Sequence, residues 1–210
     1  EILPRIGLEF VFRHAEGTRD PLAEPYPWYV LVELSSPLEG ADLGGLMQAI
    51  LEDAFEDGTV LDAAIASSMA QAEDFWQIRL MMSEVQRHEG GSIKSDVSVP
   101  VGKVAEMLER GIETVSAMIP GVRPVPFGHL GDGNLHFNVQ APEAGDGKVF
   151  LREHEATVNT IVFDSVQRFG GSISAEHGVG SLKVDKLEQH KSPVALGMMR
   201  AIKTALDPDN

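Results

Sequence analysis

The sequence predicts an α+β protein with a ferredoxin-like arrangement, in which a mainly antiparallel sheet carries helices packed on one face. Short strands alternate with long amphipathic helices, and residues 122–140 contain a tight hairpin. Gly-Gly-Ser-Ile occurs at 90–93 and again at 170–173, each time between a long helix and a predicted strand. Two repeated strand–helix–strand units fit the βαββαβ order of a ferredoxin-like fold.

The first 27 residues differ from the rest of the chain. They contain four prolines and show little periodicity, which is typical of a connector that crosses the surface. The length of 210 residues is that of one domain, or of one domain with a small extension. We therefore predict a connector at residues 1–27 and one domain at residues 28–210.

The first half of the predicted domain contains two strands and two helices. Residues 28–35 are rich in aromatic and β-branched residues, which favour a strand. Asp42 has the character of an N-cap, and the helix that follows ends at Gly58. Residues 60–66 are predicted to form a second strand. A capping box begins the next helix, at residues 68 to about 88.

The second half continues the alternation. Residues 92–99 are predicted to form a strand, and Pro100 opens a helix in whose first turn proline is tolerated. After the hairpin, a long helix is predicted at about 149–169. Helical segments follow at 182–206, with a break near Pro193.

The hairpin carries two histidines within the stretch Pro-Phe-Gly-His-Leu-Gly-Asp-Gly-Asn-Leu-His-Phe-Asn. His129 ends the incoming strand and His136 lies near the start of the outgoing strand. Because side chains alternate along a strand, both imidazoles can face one point, as in a transition-metal site. Two turn histidines with ordinary hydrogen bonds are the alternative, and the spacing alone favours that alternative.

A second stretch, Ser-Ala-Glu-His-Gly-Val-Gly at 174–180, supplies a carboxylate next to another histidine. Two histidines and Glu176 make a three-ligand site with one position open for substrate, and His177 would remain to move a proton. The chain has no cysteine, so only N and O ligands are available. Neighbours in a regular strand point to opposite faces, so the chain must turn near Gly178 and Gly180.

These two motifs together resemble the C-terminal portion of FAD-linked 2-hydroxyacid dehydrogenases. These enzymes belong to the vanillyl-alcohol-oxidase superfamily and include D-lactate, glycolate and D-2-hydroxyglutarate types. The resemblance extends from about Tyr26 to Asp209 and implies the same ferredoxin-like architecture. It also implies that His129, His136 and Glu176 bind Zn²⁺ or Mn²⁺, and that His177 is the general base, next to the flavin together with Glu176.

The resemblance further implies that FAD accepts the hydride and is held mainly by an N-terminal flavin-binding domain. Because that domain is absent from this sequence, we interpret the chain as the C-terminal substrate and metal domain of a larger enzyme. Its substrate would be a D-2-hydroxy acid, oxidised to the 2-oxo acid. Zinc has no redox chemistry, so the metal would orient the substrate and polarise its hydroxyl.

Substrate-binding residues are also implied by the resemblance. Arg79, Ser83 and Lys94 fall where D-2-hydroxyglutarate-type members hold a carboxylate, although each cation taken alone is typical of a solvated surface. Asn138 lies two residues after His136, on the same strand face, where it could bond the other carboxylate. Such a cluster suits a dicarboxylate such as D-2-hydroxyglutarate or D-malate, because lactate and glycolate have no second carboxylate.

Composition restricts the partners. A net charge of −15 disfavours nucleic acid, and no apolar run approaches the roughly 20 residues of a transmembrane helix. A homodimer stays open, and the sequence does not identify the electron acceptor. We expect a cytoplasmic location in a bacterium and a mitochondrial one in a eukaryote.

Two other functions remain as alternatives. One is a non-catalytic ferredoxin-like module that binds metal or mediates assembly. The other is a hydrolase that uses the same His, His and Glu, and it ranks last because the sequence shows no water-activating constellation of its own. Binding of flavin by the complete protein would separate the dehydrogenase from the first alternative.

Overall fold

The computed structural model describes residues 1–181 and 183–209. Its strands are β1 (Ile2–Pro4), β2 (Trp28–Val30), β3 (Ser92–Ser98), β4 (Arg123–His129) and β5 (Asn134–Gln140). Its helices are α1 (Arg5–His14), α2 (Leu43–Glu56), α3 (Met69–Val85), α4 (Val104–Met118), α5 (Gly147–Arg168), α6 (Val184–His190) and α7 (Pro193–Leu206). Across the described residues, no helix combines the length and the low polarity that crossing a bilayer requires.

The five strands form one sheet in the order β2-β1-β4-β5-β3, and every neighbouring pair is antiparallel. Ser172 bridges to Ser98 at the end of β3. The segments β3, α4, β4, β5, α5 and the Ser172 bridge therefore follow the predicted βαββαβ order. The prediction of an α+β fold with a mainly antiparallel sheet is confirmed.

Helices pack on the sheet through two hydrophobic clusters. The first joins α4 and α5 to residues of β3 and β5 such as Val97, Leu135 and Phe137. The second joins α1 and α3 to Val125 and Phe127 of β4. Phe127 lies opposite His136 in the register, whereas Leu135 and Phe137 are on the alternate face. The sequence analysis predicted helices on one face of the sheet, and α4 and α5 pack there. The structure also has α1 and α3 packed on the other face.

The prediction that residues 1–27 are a surface connector is wrong for residues 2–14. Strand β1 lies between β2 and β4 inside the sheet, and α1 buries Leu8, Phe10 and Val11. A strand of three residues shows no alternation that a sequence pattern can reveal. Pro4 precedes α1 as its N-cap, so the proline that indicated a connector marks a helix start instead.

Other elements differ in length or burial from their predictions. The strand at 28–35 is shortened to β2, and residues 60–66, all of them described, form no strand. Asp42 caps α2 as predicted, since its Oδ1 accepts a hydrogen bond of 2.8 Å from the Gly45 N–H. However, α2 has no buried residue, so its apolar face is exposed. The break near Pro193 is confirmed between α6 and α7, whereas Leu182 lies outside the described residues.

The turn between β4 and β5 depends on Gly133. Its φ is +77°, and a Cβ there would lie 1.9 Å from the Val99 carbonyl oxygen. We expect Gly133→Ala to lower the free energy of unfolding by about 2–4 kcal/mol, because left-handed strain and a backbone clash add together. Denaturant unfolding would measure the loss. Gly131→Ala is the matched control in the same turn, since its Cβ would meet no atom within 4 Å. Equal losses in the two variants would contradict this account.

Candidate active site

All eight predicted site residues line one cavity of about 820 Å³. The cavity lies beside α3, over the part of the sheet formed by β3 and the β4–β5 hairpin, and against residues 176–181 and Lys183. The residues that the structure brings together here are Arg79, Ser83, Lys94, His129, His136, Asn138, Glu176 and His177. Their placement agrees with the sequence analysis, while their individual roles stay predictions.

The hairpin places its two histidines as the alternation predicted. His129 is two residues after Phe127, which pairs with His136, so both imidazoles lie on one face with ring centroids 6.3 Å apart. The Glu176 carboxylate meets both: Oε1 is 3.3 Å from His136 Nε2, and Oε2 is 3.8 Å from His129 Nε2. Ligand atoms about 2.1 Å from a tetrahedral metal lie about 3.4 Å apart. The distance between His136 and Glu176 is therefore typical of two zinc ligands, whereas the distance from Glu176 to His129 is longer.

His136 is the more buried of the two histidines, with 14% of its side chain exposed against 41% for His129. Burial lowers the pKa of His136 below its usual value, and the charge of Glu176 opposes this only in part. Its ring contacts Phe127 and stacks on His177 at a centroid distance of 5.5 Å. The structure thus favours a neutral imidazole, which is the form that binds metal.

A carboxylate from β3 holds the turn that carries Glu176 and His177. Asp96 Oδ2 accepts hydrogen bonds from three successive backbone N–H groups, those of Ala175, Glu176 and His177, at 3.0, 3.2 and 3.0 Å. The predicted strand at this place is therefore wrong beyond the Ser172 bridge, because these N–H groups converge on Asp96 instead of pairing with a strand. The turn lets two neighbouring side chains reach the same cavity.

Asp96 also enters a second set of potential metal ligands. One ligand atom from each of Asp96, His136, Glu176 and His177 lies within 4.8 Å of the others. Asp96 Oδ1 is buried and makes no hydrogen bond within the described part of the chain. The set shares His136 and Glu176 with the predicted one, but it does not include His129. Both arrangements contain only N and O donors, as zinc and manganese accept.

The predicted substrate cations differ in exposure. Arg79 has 8% of its side chain exposed and lies over the Phe127 ring, 5.0 Å from its centroid, so it is not a solvated surface cation. Lys94 is exposed at the cavity wall, and Ser83 is exposed on α3. Two cations and a hydroxyl that line one cavity can together bind a carboxylate.

Asn138 is buried, and its amide is oriented by a polar network. Its Nδ2 donates to Gln86 Oε1 at 3.0 Å, and Gln140 Nε2 donates to the same oxygen. Gln86 in turn donates to the Met82 carbonyl oxygen at the end of α3. Because an amide nitrogen has two protons, Asn138 keeps one donor beyond the bond to Gln86.

Three charged residues of the site were not predicted. Besides Asp96, they are Glu1, which bonds to both Arg79 and His129, and Lys183, which lines the cavity. Burial lowers the pKa of Lys183, whose Nζ donates to the Ile173 carbonyl oxygen. Burial alone would raise the pKa of Glu1, but the hydrogen bond and charge of Arg79 outweigh it and the pKa is lowered. Asp96 shares a strand face with Lys94, two residues away, and that spacing was the one available signal.

The whole chain matches one known protein family. The family described as FAD linked oxidases, C-terminal domain, matches residues 1–210. The chain belongs to this family. The match includes residues 1–27, so the FAD-linked oxidase C-terminal domain begins earlier than the predicted boundary at residue 28.

Curated relatives of this FAD-linked oxidase C-terminal domain include named dehydrogenases. The chain is 40% identical to D-2-hydroxyglutarate dehydrogenase of Stutzerimonas stutzeri, with 90% of the chain and 40% of the relative covered. It is 36% identical to a probable mitochondrial D-2-hydroxyglutarate dehydrogenase of Oryza sativa subsp. indica, over 100% of the chain and 36% of the relative. A putative mitochondrial D-lactate dehydrogenase of Schizosaccharomyces pombe is 31% identical, with 92% and 37% covered. The chain thus spans less than half the length of these relatives.

Proposed function

We propose that this domain forms the substrate-binding and metal-binding part of a flavin-dependent dehydrogenase that oxidises a D-2-hydroxy acid to the 2-oxo acid. The observation that carries the proposal is the convergence of eight residues from α3, β3, β4, β5 and the turn after Ser174 on one cavity. The family match and the names of the relatives support a dehydrogenase in preference to a non-catalytic metal-binding module.

The oxidation removes a hydride from the α-carbon and a proton from the hydroxyl. FAD, held mainly by the remainder of the protein, would take the hydride, and a metal held by His129, His136 and Glu176 would polarise the hydroxyl. His177 accepts the hydroxyl proton as general base, because its ring stacks beside His136 and its Nε2 is 3.6 Å from Glu176 Oε1.

The proposed substrate class rests on the cations that line the same cavity. Arg79 presents a planar fork whose Nη1 and Nη2 make no hydrogen bond within residues 1–181 and 183–209. Arg79, with Ser83 and Lys94, would hold a carboxylate at the far end of the substrate, while Asn138 bonds the carboxylate next to the hydroxyl. A dicarboxylate such as D-2-hydroxyglutarate or D-malate can engage both ends, whereas lactate has no second carboxylate for Arg79 and Lys94 to bind.

The test uses the complete, flavin-loaded protein. D-2-hydroxyglutarate is expected to reduce the flavin with a kcat/KM at least about tenfold above that of D-lactate, since a lost charged contact costs about 1.4 kcal/mol or more. Lys94→Gln should raise KM for D-2-hydroxyglutarate about tenfold and leave KM for D-lactate unchanged. Lys103→Gln is the matched control, because Lys103 is exposed and pairs with Glu106 outside the cavity.

Two other outcomes have different meanings. A tenfold preference for D-lactate would overturn the dicarboxylate assignment and leave the dehydrogenase intact. Metal binding without flavin reduction by any 2-hydroxy acid would overturn the dehydrogenase and favour the metal-binding or assembly module.

A further inference from the structure

Glu1 occupies a fixed place beside the candidate active site. Its backbone nitrogen donates a hydrogen bond of 2.8 Å to the Leu31 carbonyl oxygen, and its carbonyl oxygen accepts a hydrogen bond of 3.0 Å from the Leu31 N–H. On the other side of β1, Ile2 pairs with Gly128 in antiparallel register, which brings Glu1 next to His129. The backbone thus holds the Glu1 side chain against the hairpin, where 7% of it is exposed.

The two oxygens of the Glu1 carboxylate have different partners. Oε1 is 2.6 Å from His129 Nδ1, and Oε2 accepts a hydrogen bond of 2.6 Å from Arg79 Nε. A carboxylate paired with a guanidinium can only accept hydrogen bonds, so Nδ1 of His129 must carry its proton. The lone pair of His129 is then on Nε2, the atom that faces Glu176.

We infer that Glu1 is a positioning residue that links the metal subsite to the substrate-carboxylate subsite. This inference rests on the proposed function. Through His129, Glu1 selects the tautomer whose Nε2 can bind a metal, as carboxylates behind metal-bound histidines do. Through Arg79, it bonds one nitrogen of the guanidinium and orients the two remaining nitrogens for the far carboxylate of the substrate.

Substitution of Glu1 by glutamine tests the link because it keeps the shape and changes the hydrogen bonding. Arg79 and His129 contact different oxygens of Glu1, and a carboxamide replaces one of these acceptors with a donor nitrogen, so one of the two hydrogen bonds is lost. In the complete protein, we expect Glu1→Gln to weaken Zn²⁺ binding about 10- to 100-fold, measured by competition with a chelator. KM for D-2-hydroxyglutarate should also rise severalfold. Glu1→Asp keeps two acceptors and should lie between wild type and Glu1→Gln.

Glu89 provides the matched control. It is also a buried carboxylate, 4% exposed, that bonds to a histidine and an arginine: His14 Nε2 at 2.6 Å and Arg123 Nη1 at 2.6 Å. Its partners His14 and Arg123 are not among the residues that line the cavity, whereas Arg79 and His129, the partners of Glu1, are. Glu89→Gln should therefore lower the unfolding temperature without changing Zn²⁺ affinity or KM.

The outcomes separate this inference from the function on which it rests. A wild-type protein that binds Zn²⁺ and oxidises the substrate, together with a Glu1→Gln variant of unchanged Zn²⁺ affinity and KM, would overturn the role of Glu1 alone. Equal losses of Zn²⁺ affinity in Glu1→Gln and Glu89→Gln would also overturn it, because the effect would then be general destabilisation. A wild-type protein with neither Zn²⁺ nor activity would overturn the proposed function itself.

Discussion

Replacement of His136 with alanine is expected to remove the bound metal from the complete protein and to lower kcat/KM by about 10³-fold or more. His136 belongs to both arrangements of potential metal ligands, and burial holds it in the neutral form that binds metal. Loss of His136 leaves two protein donors in the set with His129 and Glu176, below the three that catalytic zinc sites use, and three donors in the set with Asp96, Glu176 and His177. A metal held by these residues would supply several kcal/mol of hydroxyl activation, and each 1.36 kcal/mol is a factor of ten.

Metal content of the purified variants would be measured beside the steady-state rates. His154→Ala is the control, because His154 lies on α5, contacts the Phe150 ring and does not line the cavity. A parallel His129→Ala variant separates the two ligand arrangements. Loss of metal would assign His129 as a ligand, whereas retention would favour the set that contains Asp96. Full metal content in His136→Ala would contradict both arrangements.

Replacement of His177 with asparagine is expected to lower kcat by about 10²- to 10⁴-fold, the usual contribution of a general base. Because the base must be unprotonated to accept the hydroxyl proton, the wild-type rate should rise with pH. That rise should be absent in the variant. Stopped-flow reduction of the flavin at a series of pH values would measure both effects.

If His129, His136 and Glu176 are the ligands, metal content should be unchanged in His177→Asn, in contrast to His136→Ala. Loss of metal would instead favour the set that contains Asp96 and His177. The His177 side chain is 63% exposed, and it is the backbone N–H of His177, not the side chain, that bonds to Asp96. The turn therefore remains held when the imidazole is removed. An unchanged pH profile in His177→Asn would assign the base to another group.

The parts of the site that the sequence predicts are those encoded by local periodicity. The register that places His129 and His136 on one face follows from the alternation of side chains along β4 and β5. The sequence of the hairpin alone is therefore enough to predict that the two histidines face the same way. The helix that carries Arg79 and Ser83 is likewise a local pattern, confirmed as α3. The predicted roles of these residues as metal ligands, base and substrate-binding groups came from the resemblance to a family, because alternation alone gives only their positions.

The parts that were missed depend on contacts between distant residues. Asp96 is 79 to 81 residues from the N–H groups that it accepts, and Glu1 is 128 residues from His129. Local sequence patterns extend over far fewer residues, so they cannot reveal contacts between positions this far apart. The strand at 60–66 failed for the opposite reason: its composition favours a strand, but within the described residues it has no partner with which to pair.

The position of β1 between β2 and β4 has a consequence for the order of assembly. The pairing of β1 with β2 joins residues fewer than 30 apart, so it can form early during synthesis. The other edge of β1 remains unpaired until β4 has been synthesised, more than 100 residues later. Glu1, Arg79 and His129 therefore come together only after β4 of the hairpin has paired with β1. Bound metal would then mark nascent chains in which the sheet is complete, and truncated or stalled chains should be unable to retain it.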